Sequence, residues 1–389
     1  MAIGRSQKKL QLGRSAVNAS DMRELREAWL ARRLVLVLGA GVSVPCGLPS
    51  WRKLILDLLY SHSATARRWR GLDPEARRAL LVWLCDHLDQ DPLVLARLAK
   101  KTISSRRRGA VATSPDAFIH AVRDHLYRSG RQRPPARSSL AAVVDLIALG
   151  AREQRVSAVV TFNWDDLLEQ ELRRRKVPYH VVTSGRRVPK DGIPILHPHG
   201  YLPRTGPLGD QGIVFSEDEY HRLVDSPFHW ATTALLSHFR QNTAVLIGLS
   251  LSDPNLRRLL DASRYPGDRP RHFQIQRRYR LTDEERIRAR NQLESARATG
   301  RPLSAIDTLL DATLRQAETH ERIVSESLGV KTIWVHDFDD ITDVLGAIGN
   351  HSVRPMAART TIAPSARQAR STSSDSGVPR SARDKLSPP

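Results

Sequence analysis

The segment Leu34–Leu38, LVLVL, is an unbroken run of β-favouring apolar residues that ends on Gly39-Ala40-Gly41. A strand without polar alternation offers no face to water, so it belongs inside a sheet covered on both sides, and such sheets are predominantly parallel. Parallel neighbours require crossover connections, usually helices. The chain supplies both. Strand-like runs return as VSAVVTFN (156–163), YHVVTS (179–184), IPILHPHG (193–200), GIVFS (212–216) and TAVLIGLS (243–250), with RHFQIQRRYR and KTIWVHDF as later candidates. Helical segments follow several of them, such as WDDLLEQELRRRK and DPNLRRLLDASRY. The expected fold is therefore α/β, a Rossmann-like, mostly parallel sheet with helices on both faces.

Residues 1–20 read as a flexible polar lead, and ASDMRELREAWLARR as an amphipathic helix capped by Ser20 or Asp21. From about residue 52 to 150 apolar residues recur every three or four positions, interrupted by SGRQRPPARSS. That stretch is too long for one crossover and predicts a helical insertion within a single domain spanning 21–350. LTDEERIRARNQLESARATG, continuing to about Leu328, predicts a charged helical excursion, and KTIWVHDF the last strand before DDITDVLGAIG. The stretch 351–389 carries six arginines and Lys385 against two aspartates, with almost no large apolar residue, and predicts a disordered basic tail.

The chain has 61 Lys and Arg against 41 Asp and Glu, a net charge of +20 that suits nucleic acid, an anionic surface or a polyanionic small ligand without choosing among them. Only two cysteines, Cys46 and Cys85, are present, which excludes a four-cysteine zinc site or a disulfide framework and makes a reducing, cytoplasmic setting the expectation. No apolar run approaches the roughly 20 residues of a membrane span, and no apolar signal core follows the basic start.

A strand ending in Gly39-Ala40-Gly41 permits a tight turn and close approach to a diphosphate. The third glycine of the dinucleotide fingerprint is missing, no acidic residue closes a second strand at the right distance, and no Walker lysine is present, so a standard dehydrogenase and a P-loop enzyme are both disfavoured. Three other strand ends carry small or polar groups: Asn163-Trp164-Asp165-Asp166, His199-Gly200, and Gly248 with Ser250 and Asp253. In open α/β sheets ligands bind at such carboxyl edges. Asp165 and Asp166 fit either a ligand contact or a helix cap, and Asp253 before Pro254 fits an N-cap equally well. His197 and Arg52 are secondary candidates, and Trp51 suits either packing or ligand contact.

Taken together, GAGVS with GLPSW, TFNWD, HG and GLSL resemble the sirtuin family, and more closely its bacterial NAD-consuming branch in anti-phage defence. The likeness spans Arg33 to about Ile348. The four cysteines of the classical zinc module are absent and Ser50-Trp51-Arg52 replaces Asp-Phe-Arg, which puts an acyl-lysine groove in doubt. The resemblance implies NAD as substrate, no metal, and hydrolysis of the nicotinamide–ribose bond by a regulated NAD-depleting effector. It implies catalytic roles for Asn163 and His199, and NAD contacts for Gly39, Ala40, Gly41, Ser43, Asp165, Gly248 and Ser250. A homo-oligomer and a trigger such as a helicase-like ATPase are expected on the same ground. The alternatives are a protein deacylase or ADP-ribosyltransferase, and a non-catalytic subunit binding NAD or nucleic acid.

Overall fold

The computed structural model describes residues 9–12, 15–61, 71–73, 76, 79–80, 83, 91–105, 116–129, 133–206, 212–226, 228–265, 267–295 and 303–349. The chain divides into two units, Met1–Arg354 and Pro355–Pro389, and all described structure belongs to the first. The tail expected at 351–389 lies outside the described residues.

Seven strands form one parallel sheet: β3 (Leu34–Leu38), β4 (Val156–Thr161), β5 (Tyr179–Val182), β6 (Ile193–Leu196), β7 (Thr243–Ile247), β8 (His272–Arg277) and β9 (Val330–Val335). Their spatial order is β5-β6-β4-β3-β7-β8-β9, with β3 at the centre. The apolar run read from the sequence is buried along its whole length. Leu34, Leu36 and Leu38 face one core with Val159, Val245 and Ile247, while Val35 and Val37 face the other with Val160 and Leu246. Each such side chain contributes about 1.5–3 kcal/mol through burial, so two full cores anchor β3 and define where its end must lie.

Both faces are covered by helices. On the first lie α1 (Ala19–Leu30), α2 (Trp51–Ser61), α5 (Ser139–Leu149) and the last helix, α12 (Asp340–Gly349). On the second lie α8 (Trp230–Gln241) and α9 (Pro254–Ala262). The expected insertion holds α2, α3 (Pro92–Ser105) and α4 (Asp116–Tyr127), which pack on one another, whereas α5 packs on α12 and on α6 (Leu167–Arg174) and so belongs to the sheet layer. Two contacts tie the insertion to the strand-end loops. The Tyr127 hydroxyl accepts from the Asp166 N–H (3.0 Å) and donates to the Leu202 carbonyl (2.8 Å). Arg97 and Lys100 of α3 pair with Glu217, Asp218 and Glu219 of α7 (Glu217–Asp225). The charged excursion forms α10 (Asp283–Ser295) and α11 (Leu303–Ser327).

Three expectations are corrected. The lead read as flexible to Ser20 contains an antiparallel hairpin, β1 (Lys9–Leu12) with β2 (Ser15–Asn18), because β2 packs against the edge strand β9. The cap of α1 is Asn18, whose side chain accepts from the Ser20 N–H, while Asp21 pairs with Lys331 instead. GIVFS is not a strand: Phe215 plugs the core between Phe118 and Trp164, and Val214 bonds to the His199 carbonyl, so the segment is held by side-chain packing rather than a ladder.

At the end of β7, Gly248 takes a positive φ of 67°, and a Cβ there would lie 2.6 Å from the Val42 nitrogen. Gly248→Ala combines left-handed strain with a backbone clash and should lower stability by about 1–3 kcal/mol or more, read as a reduced urea midpoint at unchanged slope.

Candidate active site

Parallel register brings the strand ends to one level. Leu38 is opposite both Thr161 and Ile247, the Phe162 N–H donates to the Leu38 carbonyl (3.0 Å), and the Gly39 N–H donates to the Ile247 carbonyl (3.0 Å). The β4 and β6 loops are locked together by the Trp164 indole N–H, which donates to the His199 carbonyl (3.0 Å). Between them lies a cavity of about 160 Å³ at the point where strand order reverses beside β3. Its polar end is formed by Ala40, Ser43, Asn163, Asp165 and His199, and its walls include Leu48, Trp51, Leu126 and Leu256.

Asn163 is held through its amide nitrogen, which donates to the Gly39 carbonyl (2.9 Å) and to the Ser43 hydroxyl (3.2 Å). A carbonyl only accepts, so this orientation of the amide is dictated and Oδ1 remains to accept from a ligand or water. The Ser43 hydroxyl donates onward to Asp165 Oδ2 (2.8 Å), and Asp165 Oδ1 accepts the Leu167 N–H (3.2 Å). Thus Asp165 serves the helix α6 and the site at once. Burial raises the Asp165 carboxyl to about 6, against the lowering effect of those two hydrogen bonds. Asp166 is turned away: its carboxylate accepts from Gln170 (2.8 Å) and from the Arg204 N–H (3.1 Å).

His199 stands edge-on to Phe162 (4.9 Å between ring centres) and Tyr220 (5.2 Å). Burial lowers its pKa to about 4, with the Asp253 charge acting in the opposite direction, so the imidazole is neutral at pH 7. Its ring nitrogens bond to no other protein group among the described residues. Asp253 caps α9 through the Leu256 N–H (2.8 Å), and its second oxygen accepts the Tyr220 hydroxyl (3.0 Å).

Gly39 and Ala40 line the cavity, and the glycine backbone is closely packed. The Gly39 backbone packs directly under the Leu249 side chain, and Gly41 packs on Gly248 with its N–H donated to the Gly248 carbonyl (2.9 Å). Among the N–H groups from Gly39 to Val42, only that of Ala40 has no protein acceptor among the described residues. Small residues are needed here first for backbone packing. Ligand pockets for drug-sized molecules run to roughly 300–1,000 Å³. The cavity of about 160 Å³ is smaller than that range. Ser250 is exposed, bonded to Ser252, and does not line the cavity. Arg52 is exposed and Trp51 is a wall residue. His197 lies behind Asn163 rather than in the cavity.

Sequence reasoning missed Phe162, Tyr220 and Leu249 as site residues. Phe162 and Leu249 lie inside quoted motifs, but Tyr220 sits on a short acidic helix whose pattern carries no hint of the site. Among the described residues no three His, Cys, Asp or Glu side chains are grouped to hold a metal ion, and no helix is long and apolar enough to cross a membrane.

A family model described as a SIR2-like domain matches residues 157–298, which includes the Asn163, His199 and Gly248 strand ends and leaves out the Gly39 turn. No curated protein matches the chain. Among solved structures, a mutant Sir2 homologue in complex with ADP-ribose is 14% identical, with a TM-score of 0.31 over 68% of this chain and 86% of that one. A Sir2 enzyme structure concerned with mechanism and regulation is 13% identical, with a TM-score of 0.33 over 84% of this chain and 96% of the other.

A carboxyl raised from 3.8 to about 6 stabilises the fold below 3.8 and loses that contribution as pH rises through 6, so at pH 7.5 the buried charge is a cost. Asp165→Asn should be more stable than wild type by about 2–3 kcal/mol at pH 7.5 and nearly equal at pH 4, measured by urea unfolding at the two values.

Proposed function

We propose that this chain hydrolyses NAD at the nicotinamide–ribose bond, giving nicotinamide and ADP-ribose. The observation that carries the reading is Asn163, whose amide protons are both committed to protein acceptors while its oxygen remains available beside a neutral His199. The SIR2-like match over 157–298 supports the choice of NAD, because it covers both residues.

As the C1′–N1 bond breaks, its electron pair passes to the pyridinium nitrogen and neutralises it, while positive charge builds on the ribose as in glycoside cleavage. Asn163 Oδ1 accepts from the attacking water or a ribose hydroxyl and orients it. The water oxygen bonds to C1′ as its proton passes to His199, directly or through a ribose hydroxyl. An imidazole held below its usual pKa is unprotonated and ready as a base, although a weaker one than an unperturbed histidine. Asp165, ionised above about pH 6, holds Ser43 and through it Asn163, and adds negative charge near the developing cation. The apolar walls exclude bulk water and strengthen these interactions. In the setting implied by the sirtuin-like motifs, such an activity serves regulated NAD depletion in anti-phage defence.

Purified protein incubated with NAD, alone and with candidate triggers, should release nicotinamide and ADP-ribose in equal amounts. His199→Ala should lower kcat by about 100- to 10,000-fold and Asn163→Ala by at least roughly 100-fold. Robust release in either variant sinks the mechanism. The acid limb of kcat/KM should fall through about pH 6 with protonation of Asp165, and His199 should contribute only near pH 4. An acid limb that persists unchanged in Asp165→Asn would contradict the assignment.

A further inference from the structure

We infer that Glu169 and His197 form a buried positioning pair that sets the peptide of Asn163, and through it the direction of the Asn163 side chain. The inference rests on the reading of Asn163 above for its catalytic consequence, while the geometry stands independently. His197 Nδ1 lies 3.1 Å from the Asn163 carbonyl oxygen, and Nε2 lies 2.8 Å from Glu169 Oε1. A carbonyl cannot donate, so Nδ1 carries a proton and donates it. One further proton bridges Nε2 and Oε1. Both side chains are sealed from water, at 0% and 1% exposure.

The pair draws on three separate elements. Glu169 comes from the first turn of α6, His197 follows β6, and Asn163 follows β4. The backbone of Asn163 is thus gripped at both ends, its N–H by the Thr161 hydroxyl (3.2 Å) and its carbonyl by His197. His197 is itself fixed by its own N–H on the Val182 carbonyl (2.9 Å) and by edge contact with the Tyr201 ring (4.7 Å). Two residues further on stands His199. One anchored ring therefore sets the path of the chain to one proposed catalytic group and the peptide of the other.

Stability alone does not account for the pair. Glu169 Oε2 is buried without a hydrogen-bond partner among the described residues, and an incompletely satisfied buried polar pair costs more than an apolar pair of equal volume. Replacing such a pair by hydrophobic residues is often neutral or stabilising. A pair kept only for packing is therefore replaceable, and one kept for position is not.

This contrast gives the test, with Glu169→Leu, His197→Phe, the double variant and Glu169→Gln compared with wild type. The double variant should melt at or above the wild-type temperature yet lose kcat for NAD by roughly 10- to 100-fold, the range for removing an outer partner of a functional group, with KM within about twofold. Glu169→Gln should retain activity within about threefold, because its amide donates to Nε2 and leaves Nδ1–H on Asn163. In spectra of protein labelled with ¹⁵N-asparagine, the Asn163 side-chain protons should be slow to exchange in wild type and faster in the single and double apolar variants. A double variant that regains full activity, or unchanged Asn163 resonances in every variant, overturns the positioning role. Should a single variant not fold, the double variant and Glu169→Gln still decide. If wild type releases no nicotinamide under any condition, the hydrolase reading fails, while the asparagine spectra still decide whether the pair positions Asn163.

Discussion

The site depends on a pair of main-chain hydrogen bonds at the end of β3. The Leu38 carbonyl takes the Phe162 N–H and the Gly39 N–H goes to the Ile247 carbonyl, so three parallel strands stop at one height. Because β3 is buried in apolar cores on both faces, its end has no freedom to slide. A one-residue slip would turn Leu34, Leu36 and Leu38 into the core that Val35 and Val37 now fill, and the reverse. From that fixed edge the turns after β3, β4, β6 and β7 lie side by side, and Ser43, Asn163, Asp165, His199 and Asp253 from them line one cavity.

Convergence brings charged and polar groups into a dry place, and the molecule handles the cost by interlocking them. Asn163 donates to Gly39 and Ser43, Ser43 donates to Asp165, and Asp165 accepts from the start of α6. Asp165 within this chain of bonds and His199 outside it are pushed by the same cause in opposite senses, the carboxyl up and the imidazole down, because burial penalises whichever form is charged. A neutral base and an acceptor oxygen are the result. The same burial makes the region expensive, as the orphan oxygen of Glu169 shows. Functional sites commonly carry such costs.

Much of the fold was legible because burial on both faces leaves a plain mark in sequence. The unbroken run of β3 and the largely apolar runs of β4, β6 and β7 read correctly as strands of a parallel sheet, and helices lie between them. The hairpin of β1 and β2 was missed because its partner is a distant edge strand, and GIVFS was misread because an apolar run can fill a core without joining a ladder. In the site, Gly39, Ala40, Ser43, Asn163, Asp165 and His199 meet around one cavity, while Gly41 and Gly248 serve backbone packing and Ser250 stands outside.

What the sequence determined by itself was the class of fold and the strand ends at which chemistry is possible, since both follow from local pattern: apolar runs, turns, and polar residues just beyond them. Only the tertiary structure decided which of those residues touch. The Ser43–Asp165 bond spans 122 positions and the His197–Glu169 bond 28, and Tyr220 reaches His199 from a helix held by Arg97 and Lys100 of the insertion. The shifts of Asp165 and His199 arise from burial, and burial is a property of the packed chain that no stretch of sequence carries alone.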